Sequence, residues 1–227
     1  METLKLSTLT KANLQRVVTL TECGIEDYAW STPDEVDLSE SEQMQLQTLN
    51  QHLRNVPVHL MNEATIWSRA IYPLLLLAEQ PKIQVWAEVP LSADYNQFRL
   101  EGIVDGVMGR CVAETIEAPY LVVVEAKRGL EGQNPLAQLY GQLLAAARLN
   151  WQNNQQPTQE IYGCYTIADV WTFVRGQVAN IENDSPHLRV ESSREYAMKW
   201  EAKTIARLLK QIVARSAAKH EAALASA

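Results

Sequence analysis

The chain has 227 residues and is 47% apolar, enough for one domain with a substantial core. No apolar run reaches the roughly 20 residues that a membrane helix needs. Nothing at the N-terminus reads as a signal peptide, and three scattered cysteines, Cys23, Cys111 and Cys164, argue against a disulfide framework or a cysteine zinc site. No membrane contact and a cytoplasmic location are therefore expected. The net charge of −7 weighs against a nucleic-acid partner, but it is unevenly spread. Residues 21–42 hold eight acids and no Lys or Arg; elsewhere the 20 bases face the remaining 19 of 27 acids. A solvated loop is the plain reading of that segment. The alternative is an acidic flap that competes with phosphate for a basic face.

In chain order, residues 1–20 are ambiguous between helix and strand, and 21–38 read as loop, with a turn at Thr32-Pro33-Asp34. Ser39 with Glu42 forms a capping-box pattern ahead of a helix marked by Leu46, Leu49 and Leu53. A second helix is predicted over 58–79, kinked at Pro73, with Leu60, Trp67, Ala70 and Leu74 on one stripe and Glu63 on the same stripe. Residues 83–89 alternate as a half-buried strand that Pro90 should end. A turn over 92–97 leads to a strand over 98–108, and a connection over 109–119 leads to the continuous apolar run of residues 120–127. A loop over 129–135 and a helix over 135–152 follow, then two strands over 161–168 and 171–177. Residues 180–188 read as loop, and Ser192 with Glu195 as the cap of a basic amphipathic final helix that includes Tyr196 and Trp200. That division gives an N-terminal helical and acidic extension (1–57), a core (58–190) and a C-terminal helix (191–227).

Charge enters the two apolar strands where a plain core strand has none. The first carries Asp105; the second carries Glu125 and Lys127, which share a face because side chains alternate across a strand. If the strands pair, two carboxylates and an ammonium meet at one sheet end. Buried charges of this kind are usually paired or bind a metal.

Gly-Ile-Val-Asp105-Gly, the Glu125-Ala126-Lys127 triplet after an apolar run, the helical Glu63 and the helical Gln138 follow one another in an order that resembles the PD-(D/E)XK nuclease superfamily, over about residues 58–177. The resemblance implies an α/β fold of the restriction-endonuclease-like type: a central mixed β-sheet flanked by α-helices, with extra N-terminal and C-terminal helices. It also implies a metal-dependent nuclease that hydrolyses phosphodiester bonds, DNA foremost. Asp105, Glu125 and Glu63 would hold Mg²⁺ (or Mn²⁺), Lys127 would orient or help deprotonate a water, and Gln138 would hold substrate backbone or the Lys127 amine. Gln142 stands where related sequences favour Tyr, and Tyr140 is out of phase. Arg128, Arg99 and the C-terminal bases are candidate phosphate contacts. Homodimers are frequent in that superfamily, and the small size leaves targeting to a protein partner. The competing expectations are an inert nuclease-fold module that grips nucleic acid or a protein, and a metal-dependent hydrolase or transferase of some other substrate.

Overall fold

The computed structural model describes residues 1–33, 36–127 and 134–225. The elements are β1 (Glu2–Lys5), α1 (Lys11–Gln15), β2 (Thr19–Ile25), α2 (Glu40–Arg54), α3 (Glu63–Ile66), α4 (Tyr72–Leu76), β3 (Ile83–Asp94), β4 (Phe98–Val112), β5 (Thr115–Lys127), α5 (Leu136–Asn154), β6 (Thr158–Ile167), β7 (Val170–Ala179), β8 (His187–Ala197) and α6 (Met198–Ala225). The turn at 32–34 and the loop expected over 129–135 both fall partly outside the described residues.

The class is mixed α/β, as expected. One eight-stranded sheet runs in the order β1-β4-β5-β6-β7-β8-β2, with β3 also paired to β4. β3, β4 and β5 are successively antiparallel, and β5 pairs β6 in parallel. A parallel pair needs a long crossover, and α5 supplies it. Leu121–Ala126 of β5 are buried without alternation, because helices cover both faces of this central strand. One core packs α2, the α3–α4 region and α6 against Met108, Val122 and Val124. The other packs α5 against Val107, Val123 and Ile161.

α5 sits close to the sheet because glycines let it. A Cβ on Gly163 of β6 would fall 2.9 Å from Leu139 and 3.2 Å from Leu143, and one on Gly176 of β7 3.2 Å from Leu143. Leu6 is wedged between β4 and α5 in the same way, 2.8 Å from where a Cβ of Gly102 or of Gly141 would stand.

Several expectations are revised. Residues 21–25, expected as loop, belong to the strand β2, laid parallel on β8. Ser192 and Glu195 lie within β8 and do not cap a helix; the helix begins at Met198. Ser193 is buried there because its hydroxyl accepts the Phe173 N–H, at a register shift that would otherwise leave the amide unpaired. Trp200, read as an apolar position of the amphipathic final helix, is exposed and stacks under Arg54. β3 does not stop at Pro90 but runs on to Asp94. It is an edge strand, with β4 its one strand partner among the described residues, and edges tolerate proline. The helix predicted over 58–79 is broken into a 3₁₀ turn at Val58–Leu60, α3, a π turn over Trp67–Ile71, and α4. Pro73, near the start of α4, supplies no N–H to the preceding turn, and the π turn absorbs that defect. The Ser39–Glu42 capping box is present, with reciprocal bonds of 3.3 and 2.8 Å.

Gly163→Ala would drive a methyl into Leu139 and lift α5. We expect a loss of about 1–3 kcal/mol in denaturant unfolding, with a smaller effect for alanine at the exposed Gly24, where nothing lies within 4 Å and only the positive φ resists it.

Candidate functional site

The β4–β5 ladder ends at Gly106↔Val124. One step further the strands part, and the Asp105 carboxylate replaces the missing ladder bond: its Oδ2 accepts the Ala126 N–H at 2.6 Å. That bond holds Asp105 beside Glu125. Glu125 is fully buried; Gln142 of α5 donates its Nε2–H to Oε2, and the Lys127 ammonium forms an ion pair at Oε1. The ammonium is the contact of Oε1, which has no other hydrogen-bond partner among the described residues. Lys127 keeps 19% of its side chain exposed, so the cluster opens to solvent on its side.

Burial, reinforced by the Asp105 charge, pushes the Glu125 carboxyl up to about 7 against the pull of Lys127 and Gln142. Burial also raises Asp105, with Glu88 adding to it; the Ala126 amide and Lys127 oppose the rise. For Lys127, burial works to lower the pKa but is outweighed by the Glu125 contact and by the charges of Asp105 and Glu63, so the net shift is upward. Lys127 is therefore an ammonium at neutral pH.

Glu63 opens α3, capped by Asn62, whose Oδ1 accepts the Thr65 N–H at 2.8 Å. Its charge reaches Lys127, so the helix delivers it to the edge of the same cluster. Trp67, one turn later, fixes that delivery. A Cβ on Gly106, next to Asp105, would lie 2.3 Å from the Trp67 ring; the indole rests on bare strand backbone.

Of the residues expected at the site, Asp105, Glu125 and Lys127 come together and Glu63 flanks them. The Gln138 side chain is half-buried and forms no hydrogen bond among the described residues; Gln142, one turn on, is the amide that grips Glu125. Tyr140 points elsewhere, donating to Glu22 of β2 at 3.1 Å. Arg99 pairs with Asp94 and Glu101, and Arg128 lies outside the described residues. Several bases of α6 turn inward: Lys210 pairs with Glu42, Arg207 donates to the Val36 carbonyl at 3.1 Å, and Lys199 to that of Val56 at 3.2 Å. The acidic segment thus docks part of the basic helix; its Asp34 and Glu35 lie outside the described residues.

Sequence reasoning missed Glu88. In the β3–β4 register it falls opposite Asp105, between the pairs Ala87↔Gly106 and Val89↔Val104, and it has φ +52°. The one signal available was an acid in the polar half of an alternating strand, which surface strands share.

Among the described residues no three acidic, histidine or cysteine side chains converge into a ready-made metal cage. The donor set still suits a hard cation. Mg²⁺ commonly binds through one or two carboxylates and completes its octahedron with water and phosphate oxygens, and Asp105 with the under-bonded Glu125 offers that pair.

Without metal, Glu125 holds a proton more readily folded than unfolded. Its contribution to stability is therefore favourable below about pH 4.5 and is lost as pH rises through about 7. Glu125→Gln removes this liability. In EDTA the melting temperature of the variant relative to wild type should climb between pH 5 and pH 8, by on the order of 5 °C; a pH-independent difference would show that Glu125 does not titrate in this window.

The chain matches no family model, and no curated protein matches it in sequence.

Proposed function

We propose that the chain is a divalent-metal-dependent nuclease with a restriction-endonuclease-like core, hydrolysing phosphodiester bonds, DNA foremost. The observation that carries this reading is the meeting of Asp105, Glu125 and Lys127 at the point where β4 leaves β5, with Gln142 supporting Glu125 from the crossover helix. The order of elements supports it as well: a helix with Glu63, three antiparallel strands, a helix, and a strand parallel to the third.

Asp105 and Glu125 would hold Mg²⁺ or Mn²⁺, with Glu63 completing the shell from α3. When bound, the ion supplies a water of lowered pKa and offsets charge on the phosphate. The chain's own residues do the rest. Lys127, held protonated, orients the attacking water and stabilises negative charge growing on the phosphoryl oxygens. As an ammonium it is an electrostatic partner rather than a base. Gln142 fixes the Glu125 carboxylate through Oε2 and leaves Oε1 to the Lys127 ammonium, and the Ala126 amide fixes Asp105. Pre-set groups of this kind cost no reorganisation when the bond breaks.

The test is cleavage of single-stranded, double-stranded and branched DNA and of RNA in Mg²⁺, Mn²⁺ or EDTA. Wild type should cut in metal and not in EDTA. Lys127→Ala and Asp105→Asn should each lose about 10²–10³-fold or more in rate, with circular dichroism unchanged. Cleavage that survives EDTA, or is unaffected in both variants, would refute the assignment. Nucleic-acid binding with no cleavage under any condition would favour an inert nuclease-fold module.

A further inference from the structure

The β3–β4 hairpin keeps a single register from Ile83↔Arg110 to Asp94↔Arg99, and its one missing pair is Glu88 opposite Asp105. At that step the hairpin changes allegiance. Ile83 and Val85 on one side of it belong to the core beneath α6, whereas Val89, Leu91 and Ala93 belong to the core beneath α5. Glu88 is the residue that absorbs the change, in a left-handed conformation that glutamate adopts rarely. Glycine or asparagine would take that conformation at less cost.

A glutamate there also brings like charges together. Acids directly opposite on neighbouring strands repel, and Asp105 already sits beside the buried Glu125, whose Oε1 has no polar contact besides the Lys127 ammonium among the described residues. The charges of Glu125, Asp105 and Glu63 act on the Lys127 ammonium, and that of Glu88 acts on Asp105. Glu88 is exposed and so is free of any packing role.

We propose that Glu88 is a further carboxylate of the site, sharing a hydrated divalent cation with Asp105 from the edge strand. The inference rests on the metal reading above and adds a ligand from an element, β3, that contributes nothing else to the cluster.

Calorimetric titration with Mn²⁺ tests it without any activity readout. Glu88→Gln should weaken Mn²⁺ affinity at least tenfold, and Mn²⁺ should raise the melting temperature of the variant less than that of wild type. In EDTA the variant should melt at or above wild type, since a repulsion has gone. Glu101→Gln, at a half-buried acid on the neighbouring strand that pairs with Arg99, should bind Mn²⁺ like wild type and controls for general loss of charge. An affinity for Glu88→Gln within twofold of wild type, with Asp105→Asn defective, would overturn the Glu88 assignment alone. Equal weakening in Glu101→Gln would overturn it too, as a nonspecific charge effect. No Mn²⁺ uptake by wild type would overturn it together with the metal reading.

Discussion

A single hydrogen bond, Ala126 N–H to Asp105 Oδ2, sets the conditions for the candidate site. A central strand pair that simply separated would leave backbone groups unpaired in a dry interior, at a cost comparable to a lost hydrogen bond. Asp105 removes that cost with a side chain, so β4 can leave β5 at Gly106. β1 then takes the edge of β4 that β5 has vacated, pairing Glu2–Lys5 with Phe98–Glu101. The same carboxylate is thereby fixed in rotamer and depth beside Glu125. The cost of burying two acids together is met by Lys127, by Gln142 and by partial protonation of Glu125.

Two faces of the sheet cooperate in holding this arrangement. α5 reaches Glu125 only because Leu139 and Leu143 settle onto Gly163 and Gly176, and because Leu6 fits against Gly141 beside Gln142. On the other face Trp67 lies on Gly106 and brings the start of α3 alongside. The glycines here act through absence of volume: each marks a place where a helix side chain needs the room a Cβ would fill.

The sequence made the chemistry more legible than the topology. Asp105, Glu125 and Lys127 stood out because charge interrupts apolar strands, and strand alternation alone put Glu125 and Lys127 on one face. The amide on α5 was one turn off, since Gln138 and Gln142 share a helix face and only docking depth separates them. β2 was invisible because its strand character depends on β8, and an edge strand of Thr, Glu, Cys and Gly reads as loop. β8 was misread because Ser-Ser-Arg-Glu satisfies a local capping pattern, while the bulge that employs Ser193 is a long-range event. The position of Glu88 depends on a backbone angle that no composition encodes.

The N-terminal segment is divided between two distant places in the sheet. β1 adds to β4, whereas β2 closes the far edge on β8, where Thr21 and His187, bonded at 2.9 Å, are 166 residues apart in sequence. Pairings this remote are slow to form, because loop closure must precede the contacts that reward it. During synthesis on the ribosome, β2 emerges early and waits almost until the last before its partner exists. The central hairpin, α5 and β6 can assemble ahead of it, so the acidic cluster takes shape inside a sheet whose β8 edge is still open.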